Sequence, residues 1–495
     1  ITVFSLQPFN LFFVNFFSLP LLFFTIIYVK KKSKSTYRKK PFLKNLFILG
    51  TSFGFGFFFF GIFWIAHSLT FDQTFKILIP FSLILIPLFL SLFFSLPIVL
   101  IGNFCEKNLS SILLISLVFS FSDLIRSKIL TGFPWNIWSY SFSWSVETLQ
   151  ILKIIGIFSF NFFFIFIFFL PSLIFFKNKL KYYLIPIFII LSFSNYFYGS
   201  YKINSIKQYP QEEINFKIVS AKIDMENFKD EVDVASKLIK YSEPNKKVKT
   251  IFVWPEGVFI DENFYKNDKI KELFKKSFSE NHLIIFGANT SKKIGSNSKH
   301  YNSMIVSNNN LQFIAKYDKN KLVPFGEFLP FETILNFIGL KKITSGYESF
   351  SSGEGNSLLK FNFDQKKIKI LPLICYEIIF PSLVQENSKY NFLINISEDA
   401  WFGKSIGPQQ HFAKTIFRSI ESNVFTIRSA NMGVSAFISP QGKILKNLQP
   451  NEIGNIELRL PILQNDKKKI KNNLIFLSVL ITFVIIFFIL RKFKI

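Results

Sequence analysis

A cysteine, a lysine and three glutamates stand at the ends of apolar runs in the second half of this chain. Together they have the parts for nucleophilic acyl chemistry. Cys375 sits at the centre of ILPLICYEIIF (Ile370–Phe380), an apolar, β-branched run of the kind that forms a buried parallel strand. The run breaks at Cys-Tyr-Glu, and EIIFPSLVQENSKY beyond it has the look of a helix. A strand turning sharply into a helix lifts one side chain clear of the sheet and aims helix N–H groups at it, which favours a thiolate. Glu256 follows directly on TIFVW (Thr250–Trp254), where Pro255 removes a backbone donor and ends the strand. Lys319 and Glu327 share KYDKNKLVPFGEFLP, and Glu377 lies two residues past the cysteine. A thiol of pKa about 8.5 is mostly protonated at neutral pH and needs a base beside it. Glu256 would take that proton, and the Lys319 ammonium would stabilise the oxyanion of a tetrahedral intermediate. Each feature alone is ordinary, because most free cysteines are small buried hydrophobes and most glutamates after strands are solvated.

These residues need a scaffold, and the composition describes two kinds. With 495 residues, 49% of them hydrophobic, and 69 Phe, the chain is too apolar for one soluble domain. Apolar spans of the roughly 20 residues needed to cross a bilayer lie at 9–29, 44–66, 77–102, 109–125, 149–176, 180–198 and 473–490. The net charge of +26 would suggest nucleic acid in a soluble protein. Lys outnumbers Arg here, and Phe, Ile and Asn are inflated too. That is a genomic bias, so no nucleic-acid partner is expected. The two cysteines, Cys105 and Cys375, lie in very different surroundings, which argues against a disulfide. His67, His282, His300 and His411 are scattered without metal-ligand spacing, so neither a metal nor any other cofactor is expected.

Orientation follows from the basic loops. KKKSKSTYRKK (Lys30–Lys40) is the densest basic patch and should be cytoplasmic. Alternation then puts NFCEKN (Asn103–Asn108) and KNKLK (Lys177–Lys181) inside, and the 199–471 segment outside. The sequence opens on Ile1 rather than Met. An even number of spans would require one more, before or overlapping residues 1–8. In the outside loop TGFPWNIWSYSFSW (Thr131–Trp144) the aromatic residues read as an interfacial belt, and Asp123 and Arg126 read as snorkelling charges at a span end. Small residues in GTSFGFGFFFFGIFW (Gly50–Trp64) point to close helix packing. From residue 199, short β-rich runs alternate with helix candidates at 229–242, 266–280, 380–389 and 409–422, the pattern of an α/β sandwich with a mixed sheet. The expected organisation is therefore transmembrane helices over 1–198, a catalytic domain over 199–471, and a last transmembrane helix with a cytoplasmic tail over 472–495.

WPE, then YDKNKLVPFGE, then CYE, in that order, resemble the Glu-Lys-Cys triad of the nitrilase superfamily. NISEDAWFGKSIGPQQH (Asn395–His411), RSANMGVSAFISPQG (Arg428–Gly442) and TGFPWN resemble its membrane-embedded branch, the apolipoprotein N-acyltransferases. The likeness runs from near residue 8 to the last span. It implies an α-helical membrane domain of eight helices plus a nitrilase-like αββα sandwich, in the inner membrane of a bacterium, with the sandwich facing the periplasm. It implies Glu256 as general base, Lys319 as oxyanion stabiliser and Cys375 as the acylated nucleophile. Glu327 would hold Lys319, and Tyr376 and Glu377 would shape the site. The implied reaction moves an acyl chain from a phospholipid, typically phosphatidylethanolamine, onto the α-amine of the diacylglyceryl-cysteine of an apolipoprotein, and a monomer is expected. One stretch departs from the family pattern. Where relatives open the domain with Gln-x-Asn and then Lys-Trp, this chain reads IVSAKIDMENFKDE, with Ser220, Lys222 and Phe228 at those places.

Apolar FLPFETILNFIGL (Phe328–Leu340) reads either as a core helix or as an arm dipping into the bilayer. Two other readings of the whole chain stay open. A membrane-tethered nitrilase-type amidase would use the same triad with water as acceptor. A catalytically dead lipid-binding scaffold would have no need of all three triad residues.

Overall fold

The computed structural model describes residues 1–34, 39–177, 179–205, 209–224, 230–294, 297–330, 349–355, 357–385, 389–463 and 472–493. The chain divides into two compact units, one of residues 1–66, 77–205 and 470–495, the other of residues 67–76 and 206–469.

The first unit is helical. Its long helices are α1 (Asn15–Lys34), α2 (Lys39–Ile62), α3 (Ile79–Ile101), α4 (Leu109–Arg126), α5 (Leu152–Phe169), α6 (Lys181–Asn204) and a C-terminal helix, Asn472–Lys492. Among the described residues, seven helical segments are long and apolar enough to cross a membrane. Small residues let α2 and α3 approach closely: a Cβ on Gly50 would lie 2.4 Å from the Ser95 Cα, and one on Gly54 2.8 Å from the Ser91 Cα. Two expectations for this unit are overturned. Trp135, Trp138 and Tyr140 do not form an interfacial belt but are buried, with Trp138 stacked on Phe57 at 5.3 Å and Trp135 against Trp64 at 4.6 Å; of the loop's tryptophans only Trp144 is exposed. Asp123 and Arg126 do not snorkel either. They are buried and paired at 2.7 Å, with Asn161 donating to the second Asp123 oxygen at 2.8 Å. Burial in an apolar bundle strongly favours pairing such charges with one another.

The second unit is the α/β sandwich. One six-stranded sheet has the order β12-β1-β2-β3-β4-β5 and the other the order β11-β10-β9-β8-β7-β6. The first sheet comprises β1 (Glu213–Ser220), β2 (Thr250–Val253), β3 (His282–Ile294), β4 (Asn297–Ser307), β5 (Phe313–Asp318) and β12 (Gly454–Pro461). The second comprises β6 (Leu359–Phe363), β7 (Lys366–Ile374), β8 (Phe392–Glu398), β9 (Phe425–Asn431), β10 (Ser435–Ile438) and β11 (Ile444–Leu448). Both sheets are mixed: β1-β2-β3 and β7-β8-β9 run parallel, with antiparallel strands outside them. Ile214, Phe216, Ile251 and Ile285 of one sheet share a core with Ile370, Phe392, Ile394 and Ile427 of the other. On the outer face of the first sheet, Leu238 of α7 (Glu231–Ser242) and Phe274 of α8 (Asp268–Ser277) pack with Phe252, Trp254 and Phe286. With the second sheet go α9 (Pro381–Gln385) and α10 (Gly407–Ser422), where Ser419 Oγ donates to the Ser439 carbonyl at 2.8 Å.

His67–Lys76, a loop between two spans in sequence, belongs to this second unit, with Phe71 4.6 Å from Trp401. Most of the Phe328–Leu340 stretch, and Phe228, lie outside the described residues.

Candidate active site

The site is assembled from strand ends, as parallel-sheet geometry favours. β2 delivers Glu256 three residues past its end, and β5 delivers Lys319 directly after Asp318. From the facing sheet, β7 ends at Ile374 and is followed at once by Cys375. The turn carrying Glu256 depends on Gly287 of β3, whose N–H donates to the Pro255 carbonyl at 3.0 Å. A Cβ on Gly287 would stand 2.6 Å from the Glu256 Cα, so no larger residue fits.

Lys319 lies between two carboxylates, its ammonium 2.9 Å from Glu327 Oε1 and 3.4 Å from Glu256 Oε1. Asn302, absent from the sequence-based site, bridges the same two oxygens, donating at 2.8 Å to Glu256 and 2.7 Å to Glu327. The Asn302 carbonyl accepts from the Lys319 N–H at 2.8 Å, so strand pairing places the two side chains together. The other Glu327 oxygen accepts from the Val323 N–H at 2.8 Å, and the other Glu256 oxygen from the Glu398 N–H at 2.9 Å. Burial alone would push Lys319 down, but Glu327, Glu256 and Cys375 together hold it above the usual lysine range.

Burial and the Glu256 charge push the Cys375 thiol up, against the pull of Lys319. The thiol is therefore protonated at rest and requires a base. Cys375 occupies the left-handed region at φ +49°, unusual for a residue with a side chain. The helix expected within 380–389 does not begin at the cysteine. Cys375–Ile379 is a single 3-10 turn, and Pro381, which cannot continue a helix from the preceding turn, opens only the five-residue α9. The positive influence on the thiol thus comes from Lys319 and not from a helix end.

The neighbours of Cys375 have separate duties. Glu377 is fully buried and spent on structure. One of its oxygens accepts from Tyr317 Oη and from the Asn320 and Lys321 N–H groups at 2.8–3.0 Å, and the other from the Ile374 N–H at 2.8 Å. It clamps the end of β5 to the end of β7, and with them Lys319 to Cys375. Tyr376 is buried, its ring edge-on to Phe380 at 5.1 Å. Burial pushes its hydroxyl up, keeping it a neutral donor. All six residues singled out from the sequence are gathered in one place, while Asn302, Asp399, His411 and Arg428 were missed. At the departing edge, Ser220 donates to the Glu452 carbonyl at 2.8 Å and Lys222 sits at φ +47°. Asn431 then grips both the N–H and the carbonyl of Ile223 at 2.8 Å.

A buried ammonium shared by two carboxylates beside a buried thiol, at the strand ends of an αββα sandwich, defines a nitrilase-type domain. Residues 251–463 match the family described as Carbon-nitrogen hydrolase, and residues 1–193 match the Apolipoprotein N-acyltransferase N-terminal domain. Over 460 residues the chain is 33% identical to the apolipoprotein N-acyltransferase of Rickettsia typhi, covering 91% of this chain and 90% of that one. The protein of that name in Rhizobium rhizogenes is 29% identical over 477 residues, covering 93% and 88%. Nit3 of Saccharomyces cerevisiae, a nitrilase-superfamily member of known structure, aligns over 52% of this chain and 93% of its own with 19% identity and a TM-score of 0.37. The chain belongs to the apolipoprotein N-acyltransferase family.

Proposed function

We propose that the protein moves an acyl chain from a phospholipid to the α-amine of a diacylglyceryl-cysteine at the N-terminus of an apolipoprotein, through a thioester on Cys375. The observation that carries the roles is the unequal sharing of Lys319. Glu327 holds the ammonium at 2.9 Å and Glu256 at 3.4 Å, so Glu327 is the fixed counter-ion and Glu256 the carboxylate free to take a proton. Glu256 removes the Cys375 proton, and the thiolate attacks the ester carbonyl. The oxyanion forms against Lys319, and collapse expels the lysophospholipid alkoxide, which recovers the proton from Glu256. In the second half the amine attacks the thioester, Glu256 takes the amine proton, and Cys375 leaves and is reprotonated. Phosphatidylethanolamine is a suitable donor.

A thioester that waits for an amine must be kept from water. Cys375, Glu256 and Lys319 are 8%, 7% and 1% exposed, which favours transfer over hydrolysis. The sandwich then works on the periplasmic side of the bacterial inner membrane, a reading that the basic loop Lys30–Lys40 supports.

Incubating the detergent-solubilised protein with phospholipid should yield an acyl adduct on Cys375, seen by peptide mass spectrometry. That adduct should persist in buffer and discharge when a diacylglyceryl-cysteinyl peptide with a free α-amine is added, giving N-acyl peptide. Hydrolysis to free fatty acid at one rate with or without the peptide would identify an amidase and end the transferase reading.

A further inference from the structure

Behind the thiol lies a buried polar chain that the reaction steps above do not use. His411, on α10, places Nε2 3.2 Å from the Cys375 carbonyl oxygen. Its Nδ1 is 3.0 Å from Asp399 Oδ1 and 3.2 Å from Arg428 Nη2. Arg428 Nη2 also donates to Asp399 Oδ2 at 2.8 Å, its Nη1 to Asn395 Oδ1, and its Nε to the Val434 carbonyl at 3.1 Å. Ser397 Oγ donates to Asp399 Oδ1 at 2.7 Å. Asn395, His411 and Arg428 are 0% exposed and Asp399 1%. The packing around Asp399 is closed, since a Cβ on Gly433 would fall 2.1 Å from Asp399 Oδ2.

The partners decide where the ring proton sits. Arg428 Nη2 carries two hydrogens, one for Asp399 Oδ2 and one for His411 Nδ1. Nδ1 also faces Asp399 Oδ1, an acceptor already served by Ser397, whereas the Cys375 carbonyl opposite Nε2 can only accept. The neutral tautomer that meets both Arg428 and that carbonyl carries its proton on Nε2. A doubly protonated ring would put a proton on Nε2 as well. Only the tautomer with Nδ1–H alone would set a lone pair against that carbonyl.

Three successive residues of the strand end are therefore gripped by buried side chains. Asn395 Nδ2 donates to the Leu373 carbonyl at 2.9 Å, Glu377 accepts from the Ile374 N–H at 2.8 Å, and His411 takes the Cys375 carbonyl. A left-handed non-glycine backbone persists only where its surroundings over-determine it, and at Cys375 the last of these grips is His411.

We propose that His411, held by Asp399 and Arg428, is a positioning residue for the nucleophile: its Nε2–H fixes the Cys375 carbonyl and with it the left-handed backbone that aims the thiol at the acyl donor. The proposal rests on the reading of Cys375 as nucleophile, and its test separates the two.

Glutamine and asparagine divide the histidine's functions. The amide nitrogen of Gln can occupy the place of Nε2, whereas that of Asn reaches only the place of Nδ1. In a Cys105→Ser background, the rate of acyl-Cys375 formation would be followed by mass spectrometry against phosphatidylethanolamine concentration. His411→Gln should stay within about fivefold of the parent rate, and His411→Asn should fall about 10²-fold, the scale of a nucleophile misplaced by about an ångström. Half-saturating phospholipid should be unchanged in both. Equal rates in the two variants, whether both high or both low, would overturn the positioning role. If His411→Asn does not accumulate as folded protein, Asp399→Asn takes its place, with a slower rate at unchanged half-saturation expected and a parental rate overturning the proposal. Transfer surviving in Cys375→Ser would instead remove the nucleophile assignment and this inference with it.

Discussion

Each unit of the molecule buries ion pairs, and one cluster from each shows two opposite ways of building them. In the helical unit Asp123 and Arg126 are three residues apart on α4 and meet at 2.7 Å. Two further guanidinium hydrogens go to the carbonyls of Phe133 at 2.6 Å and Asn136 at 3.3 Å. One anion meets one cation, and the pair folds the loop after α4 back onto its own helix. In the sandwich, Glu256, Lys319 and Glu327 come from two loops, and one cation serves two carboxylates with a thiol beside them. The first cluster is balanced in charge, one carboxylate to one guanidinium. The second has one negative charge in excess in a nearly dry setting, which is what a site needs if it is to take up and return a proton.

Chemistry and stability should therefore part company between the clusters. The largest effect belongs to Cys375→Ser, which should abolish the acyl adduct while leaving thermal unfolding close to the parent, because the swap exchanges only one buried polar atom for another. Cys105→Ser, at the buried cysteine of the first unit, should leave turnover intact; a loss there would place a second thiol in the reaction. Next come the two cations. Lys319→Met should lower adduct formation 10²–10³-fold, about 3–4 kcal/mol of oxyanion stabilisation. Arg126→Met should instead cost about 3–5 kcal/mol of stability by stranding Asp123. Comparing specific activity per folded molecule with melting temperature for both variants would expose any overlap. If Arg126→Met lost activity without losing stability, the balanced cluster would have a part in the chemistry.

Gly287→Ala tests the sandwich cluster from behind. Its new methyl group must push the Glu256 backbone, so adduct formation should fall at least tenfold with the phospholipid half-saturation unchanged. Normal rates would show that the Glu256 turn is not rigid.

The smallest effects are in pH. Burial pushes the Cys375 thiol up, and Glu256 adds to it, so alkylation of Cys375 by iodoacetamide should still be climbing above pH 9, where an unperturbed thiol of pKa about 8.5 levels off. Glu256→Gln, by removing a like charge, should shift that climb to lower pH; no shift would separate the base from the thiol. Burial likewise pushes His411 down to about 4. Below its ordinary pKa of about 6.5 the unfolded chain binds a proton that the folded chain refuses, so stability is full above pH 6.5 and declines toward pH 4. The slope is at most about 1.4 kcal/mol per pH unit. Melting curves of His411→Gln over the same range should be flatter.

The strand ends at Glu256 and Cys375 were legible because buried parallel strands are written as apolar runs with abrupt stops, while Lys319 stands at the end of the antiparallel edge strand β5. Three of the four edge strands were not legible. β6, β11 and β12, all at sheet edges, went unread, since LKFNF, ILKNL and GNIELRLP mix charged and apolar residues in the way of strands with at most one buried face. The supports of the site were hidden for another reason. Asn302 meets Glu256, His411 meets the Cys375 carbonyl and Arg428 meets Asn395, each more than 30 residues away in sequence, and a lone His on a helix carries no local sign of the carbonyl it will meet. The helix expected from Glu377 onward starts only at Pro381, because proline can open a helix but cannot continue one from the turn before it.

The short His67–Lys76 loop has a consequence for how the protein is made. Phe71 packs on Trp401, and a Cβ on Gly403 would fall 2.5 Å from the His67 ring. The ribosome delivers Phe71 about 330 residues before its partner. At about 5–20 residues per second that is a wait of roughly 20 to 60 seconds, during which α2 and α3 are already made and the surface meant for Trp401 stands bare. A piece of the sandwich is thus among the first segments synthesised. Shielding Phe71 during that interval, by a chaperone or by the membrane surface, becomes part of assembling the enzyme.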